Sequence, residues 1–285
     1  MAESKPDPGS LKRDQRAMWD ESAAGWNKWW PTFERAAQKV SDRLVDLAGV
    51  RSGTRVLDIA TGNGEPAVTA ARVAGASGHV VAVDQSPGML EIARERAKAL
   101  GLTNLEFVES DAESMKLPAA SFDACVCRWG LMFMPELTAT LRTIHTALKP
   151  GARFATAVWN SGDKVPMITL AANAVREIAG LKPPPPGALE PTRLADTSIL
   201  KSALEQAGFN SVAIEPMIVT FEFPSSAEFV AFRSEVGRAQ AMMAKLDPKT
   251  RARVKTAIGE ASRNFQASGG RVLLSNETIC FSARA

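Results

Sequence analysis

Apolar residues change their spacing along this chain, and the changes mark out its predicted elements. Phe33, Ala36, Ala37, Val40, Leu44 and Leu47 recur every three or four positions, as in a helix with one buried face. Pro31 is expected to separate this helix from a Trp-rich segment before it (Trp19, Trp26, Trp29, Trp30), and Gly49 and Gly53 to close it. Residues 1–10 are polar and rich in Pro and Gly, and are expected to be loose. From Arg55 the pattern alternates. Short β-rich runs at Arg55–Ala60, His79–Val83, Leu105–Val108, Phe122–Cys127 and Arg153–Val158 read as strands. Between them lie a helix through about Ala74 and helices at Pro87–Leu100 and Pro135–Leu148. Apolar strands alternating with helices imply a parallel sheet covered on both faces.

After Trp159 the rhythm changes. Residues 163–180 read as helical, and Pro183-Pro184-Pro185-Pro186-Gly187 as a stiff extended link. Ser198–Ala207 is a predicted helix closed by Gly208. Ser211–Phe223 is strand-like, interrupted at Pro216. Residues 225–266 read as mostly helical with a break near Asp247-Pro248, and Thr278–Ala283 as a last strand. The expected organisation is a flexible 1–10, a helical cap over 11–50, a ligand-binding sheet core over 51–160, and a remainder over 161–285 that carries a helical lid at 225–267.

Composition narrows the classes without choosing one. The 285 residues are 45% hydrophobic and 23% charged, which excludes a disordered or disulfide-stapled chain. With 34 basic against 31 acidic residues and no long run of like charge, electrostatics nominates no nucleic-acid partner. Three cysteines and two histidines lack metal-ligand spacing, so no metal is expected, and a reducing cytoplasm is the expected location. The opening MAESKPDPGS lacks the apolar core of a signal peptide, and no apolar stretch has bilayer length, so no stable membrane insertion is expected. The expected partner is a small molecule; a homodimer is left open.

The chemistry concentrates between the first predicted strand and its helix, in Val56-Leu57-Asp58-Ile59-Ala60-Thr61-Gly62-Asn63-Gly64-Glu65-Pro66. Glycines there let the chain turn tightly and let a ligand lie against the backbone. Asp84 ends the second strand, about 20 residues on, as expected of an acid that grips ribose hydroxyls. Asp111 follows the third strand at the same carboxyl edge, where open α/β sheets bind ligands. Gly62-x-Gly64-x-x-Ala67 also satisfies a loose dinucleotide fingerprint. Against a dinucleotide, Pro66 removes one amide from the helix opening that would receive a pyrophosphate, and Asp58 and Glu65 would repel it. A cationic sulfonium ligand with an amino group tolerates both acids.

These residues, with Val83-Asp84-Gln85-Ser86-Pro87-Gly88-Met89-Leu90, Asp111-Ala112-Glu113, Leu117-Pro118, Ser121-Phe122-Asp123 and Leu148-Lys149-Pro150-Gly151-Ala152, resemble class I S-adenosylmethionine-dependent methyltransferases. Within that class the likeness is to the ubiquinone/menaquinone-biosynthesis type of small-molecule enzyme, and it covers roughly residues 40–160. The resemblance implies a Rossmann-like, doubly wound α/β fold. Its sheet would have seven mostly parallel strands with the last antiparallel, plus helical caps from both chain ends. It implies S-adenosyl-L-methionine as cofactor. Ala60, Gly62 and Gly64 would lie along its methionine part, with Asp58 near its amino group, and Thr61 and Gln85 would also bind the cofactor. Asp84 would meet the ribose, Met89 would pack on the adenine, and Asp111 and Ala112 would take the adenine edge. A backbone carbonyl of Cys127 or Arg128 would meet the methionine amine. Trp26 stands where the family often has Tyr, and this chain has no Tyr at all.

Trp129, Trp30, Phe133 and Phe232 are the candidate acceptor contacts, and Arg128 a candidate for orienting an acidic acceptor. The Trp cluster serves equally well as core or as an aromatic roof over a cation. His79, His145, Cys125 and Cys127 read as structural. No residue stands out as a general base, so no catalytic residue is assigned. The expected reaction is methyl transfer to a small apolar or aromatic acceptor, at carbon, oxygen or nitrogen. Two alternatives stay open: a nicotinamide-dependent oxidoreductase on the same kind of sheet, and a non-methylating cofactor-binding protein of methyltransferase fold, a cyclase or a partner subunit.

Overall fold

In a computed structural model of the chain, which describes residues 8–185 and 188–285, the alternating runs form one seven-stranded sheet. Its strands are β1 (Arg55–Ile59), β2 (His79–Asp84), β3 (Leu105–Glu109), β4 (Phe122–Arg128), β5 (Leu148–Trp159), β6 (Asn210–Phe223) and β7 (Val272–Arg284). The order is β3-β2-β1-β4-β5-β7-β6, and β7 alone runs antiparallel to its neighbours. β1 and β4 are buried almost throughout because helices cover both faces, whereas β3, at one edge, is half exposed.

The flanking helices are α1 (Pro8–Leu47), α2 (Ala67–Ala74), α3 (Pro87–Ala99), α4 (Leu137–Ala147), α5 (Pro166–Ala179), α6 (Thr197–Gln206), α7 (Ser226–Glu235), α8 (Gly237–Ala244) and α9 (Pro248–Ser262). Several starts have local causes. The Ser86 hydroxyl accepts from Met89 N and Pro87 opens α3. Asp247 caps α9 ahead of Pro248, which produces the expected break. No helix among the described residues is long and apolar enough to cross a membrane.

Three expectations are corrected. The chain does not break at Pro31, because α1 runs as one helix of 40 residues with Pro31 inside it. A proline in a helix interior costs about 3 kcal/mol. Ring packing on both sides offsets it: Phe33 meets Trp26 and Trp129, and Trp29 meets Phe232. Residues 8–10, expected to be loose, are the first residues of α1. Residues 1–7 and the Pro186-Gly187 part of the proline link lie outside the described residues. Finally, β6 continues through Pro216, which pairs with Ile279. β6 is an edge strand, so a missing amide is tolerated there.

β6 and β7 stay paired beyond the end of β5. Trp159 closes the β5 ladder opposite Thr278, while the β6 ladder continues to Phe223 opposite Val272. This two-stranded extension rises past the carboxyl edge of the sheet and carries α7, α8 and α9 between its strands.

Candidate functional site

The ends of β1, β2 and β4 and the loops after them form one wall of a cavity of about 330 Å³. Two non-glycine residues there hold left-handed backbone: Ala60 (φ 56°) after β1 and Trp129 (φ 58°) after β4. Both line the cavity. They approach each other across Gly130, where a Cβ would sit 2.6 Å from that of Ala60 and 2.9 Å from Cys127 Sγ. Only glycine fits this crossing. Gly62 (φ 54°) is the opposite case: a Cβ there would meet no atom within 4 Å, and the residue borders the cavity. Its backbone is therefore bared to the space a ligand would fill.

Asp84 ends β2 facing this loop. Its carboxylate accepts from Gly62 N (2.8 Å) and Ser86 N (2.9 Å), and burial raises its pKa. Gln85, Met89, Asp111 and Ala112 line the same cavity. Asp111 accepts from Lys12 Nζ (2.7 Å) of α1 and from Glu113 N (2.9 Å), and Lys12 also pairs with Glu113. Asn63 Oδ1, buried, has no hydrogen-bond partner among the described residues, whereas the Thr61 hydroxyl faces the Asp58 carboxyl. Trp26 Nε1 is likewise buried and unpaired.

Four sequence candidates lie elsewhere. Asp58 is fully buried below the cavity: one oxygen accepts from Ala67 N (3.0 Å), the Thr61 hydroxyl faces the carboxyl, and burial pushes it up to about 8. The acid that does line the cavity here is Glu65, which accepts from Thr69 Oγ1 (2.7 Å); burial pushes its carboxyl up to about 7. Gly64 packs toward Ala93 of α3 rather than the cavity. The Cys127 carbonyl accepts from Thr156 Oγ1 (2.8 Å) inside the sheet, and its thiol, buried, is pushed up to about 12. Phe232 is buried in a ring cluster with Trp26, Trp29 and Phe223, so it belongs to the core beneath the roof.

Arg128 borders the cavity, but its guanidinium is spent inside the protein. It makes two bonds to Glu34 (2.6 and 2.9 Å), one to Ser41 Oγ (2.7 Å) and one to the Ala37 carbonyl (3.3 Å). It ties β4 to α1, and Glu34 neutralises the charge that would orient an acidic acceptor.

Trp26, Trp30, Trp129 and Phe133 line the cavity as expected. Trp129 stacks on Trp159 (4.2 Å between ring centres) and donates from Nε1 to Thr278 Oγ1 (2.9 Å). A second wall comes from α5, Pro184, Glu190, Pro191, Thr192 and the start of α8, with Arg233 from α7. Arg233 was not singled out from the sequence, where an arginine following Phe232 reads as the solvated side of a helix. Neither histidine lines the cavity: His79 pairs with Glu106, and His145 packs edge-on against Phe209.

This sheet, with its reversed seventh strand and a cavity over its carboxyl edge, defines a Rossmann-like small-ligand-binding protein. The family model described as a methyltransferase domain matches residues 50–208, more than half of the chain. The chain belongs to that family, that of the class I S-adenosylmethionine-dependent methyltransferases. The ubiquinone/menaquinone biosynthesis C-methyltransferase UbiE of Pseudomonas putida is 36% identical over 137 residues, covering 48% of this chain and 50% of that protein. UbiE of Edwardsiella ictaluri is 37% identical over 110 residues, covering 38% and 44%. The chain spans about half the length of the curated relatives it matches. Among solved structures, the [4+2]-cyclase SpnF superposes with a TM-score of 0.55 at 21% identity, covering 89% of this chain and 82% of that one. A Haemonchus contortus phosphoethanolamine N-methyltransferase 2 complex gives 0.58 at 16%, covering 98% and 60%. These two likenesses are of fold.

Proposed function

We propose that this chain moves a methyl group from S-adenosylmethionine to a small, largely apolar or aromatic acceptor. The UbiE relatives, named as C-methyltransferases, support carbon as the accepting atom. The observation that carries the reading is the floor of the cavity. There the open α-carbon of Gly62 and the unpaired Asn63 Oδ1 lie beside the acids Glu65, Asp84 and Asp111, which suits a ligand both polar and cationic.

In this reading Asp84 and Gln85 hold the ribose, Met89 packs on the adenine, and Asp111 and Ala112 meet its edge. Ala60, Thr61 and Gly62 border the methionine part, with Glu65 beside them and Asp58 behind. Bound there, S-adenosylmethionine supplies an electrophilic methyl on a positively charged sulfur. Trp26, an indole lining the cavity, would favour such a charge, while Trp129 is stacked on Trp159. Together with Trp30 and Phe133 they exclude water and align the acceptor, the main contributions to an in-line displacement. The location proposed is the cytoplasm.

Isothermal titration with S-adenosylhomocysteine tests the cofactor site, and micromolar binding is expected. Release of labelled methyl from S-adenosylmethionine into a metabolite extract tests transfer. Binding without any transfer would favour a non-methylating role, and no binding at millimolar ligand would refute the site.

A further inference from the structure

We propose that Arg233 anchors a negatively charged acceptor, so that the cavity takes a carboxylate carried on an apolar body. Arg233 lies in the last turn of α7, is 6% exposed and lines the cavity. It makes no hydrogen bond or ion pair with any described residue, and its Nε is fully enclosed without a partner. Its one ring contact is with Phe232 (5.4 Å to the ring centre). Burial alone pulls its pKa down, to about 10, so it keeps its charge at neutral pH.

The contrast with Arg128 is direct. Arg128 is as deeply buried, and an acid, a hydroxyl and a carbonyl meet its donors. An enclosed guanidinium with none of these is costly, and such a group persists where its partner comes from outside. No neighbouring acid is free to serve. Glu190 on the same wall is shared between Arg176 (3.2 Å) and Arg238 (2.6 Å), so this wall carries more positive than negative charge. Met167, Ala172 and Ala239 line the cavity alongside, which calls for an apolar ligand body. One unpaired planar fork matches one carboxylate through two parallel bonds.

Calling this anion the methyl acceptor rests on the function proposed above; the anion site itself does not. The test is titration calorimetry of the full chain with two matched pairs, 2-naphthoate against 2-naphthamide and indole-3-acetate against indole-3-acetamide. S-Adenosylhomocysteine is titrated separately. At least one acid is expected to bind about tenfold more tightly than its amide. Arg233→Met should bring that ratio close to one, and Arg233→Lys should keep part of it. Affinity for S-adenosylhomocysteine should stay within about twofold in both variants. The Met variant should melt no lower than the parent, since it removes an unpaired buried charge. Acid and amide binding alike, no binding by either acid, or a preference that survives Arg233→Met would overturn the proposal. So would a lower melting point with S-adenosylhomocysteine binding lost, the mark of a structural arginine. Should the parent protein fail to bind S-adenosylhomocysteine, the cofactor reading falls while the acid-to-amide ratio still judges Arg233.

Discussion

The two walls of the cavity are made from different kinds of chain. The first is local to the sheet. Ala60, Gly62, Asp84 and Trp129 each lie within a few residues of a strand end, and backbone amides hold the Asp84 carboxylate in place. The second is assembled from segments far apart in sequence: Met167 and Arg176 on α5, Glu190 on a loop, Arg233 and Arg238 at the α7–α8 junction. On the first wall acids predominate, fixed by main-chain donors. On the second, arginines outnumber their one carboxylate. A wall built by strand ends is set by the register of the sheet, whereas a wall built by appended helices can change without disturbing that register. Recognition of an invariant ligand belongs on the first, and selection among variable ligands on the second.

The harshest way to break this comparison is to cut the tie beneath both walls. Arg128→Met strands Glu34 as a buried, unpaired carboxylate and should cost about 3–5 kcal/mol of stability, read from urea unfolding. A loss under about 1 kcal/mol would mean that α1 is held by its ring contacts alone. Next comes Gly62→Val, which places a branched side chain in the open space over the first wall. It should weaken S-adenosylhomocysteine binding at least about a hundredfold, roughly 3 kcal/mol. Gly101→Val, also at a left-handed position with open space around it (φ 67°) but outside the cavity lining, controls for backbone strain and should leave binding intact.

Asp84→Ala should cost about 1–3 kcal/mol of the same binding, through lost charge-assisted hydrogen bonds. Full affinity in that variant would move the ribose away from the first wall. A pH dependence probes the first wall without any ligand. Asp58 at about 8 and Glu65 at about 7 both lie above the unfolded value near 4. The stability they contribute is present below that value and is lost as pH rises through 7 and 8. The urea midpoint should therefore fall between pH 5.5 and 8.5. Glu65→Gln should flatten the lower part of that decline, and an unchanged slope would remove Glu65 from the account.

The same division governs what the sequence disclosed. The first wall was legible because its signals are local. Strands β1 to β5 are short apolar runs, and Asp84 and Asp111 stand at or just beyond strand ends. Where distant chain intervenes, local signals fail. Pro31 looked like a helix end until Trp26, Trp29 and Phe33 met partners from β4, β6 and α7. Arg128 looked free until Glu34, from far earlier in the chain, closed on it. Phe232 had the profile of a pocket residue, yet Trp26, Trp29 and Phe223 enclose it. Arg233 carries no sequence mark because its distinguishing property is a missing partner, which only the packed structure reveals.

Phe223 and Val272 face each other across the last rung of the β6–β7 ladder. The intervening helices thus depart and return at a single doorway, and their length is free of any span the sheet imposes. A cassette mounted this way can be exchanged for another of different size. Grafting alternatives between these two residues offers a direct way to change the second wall while keeping the first.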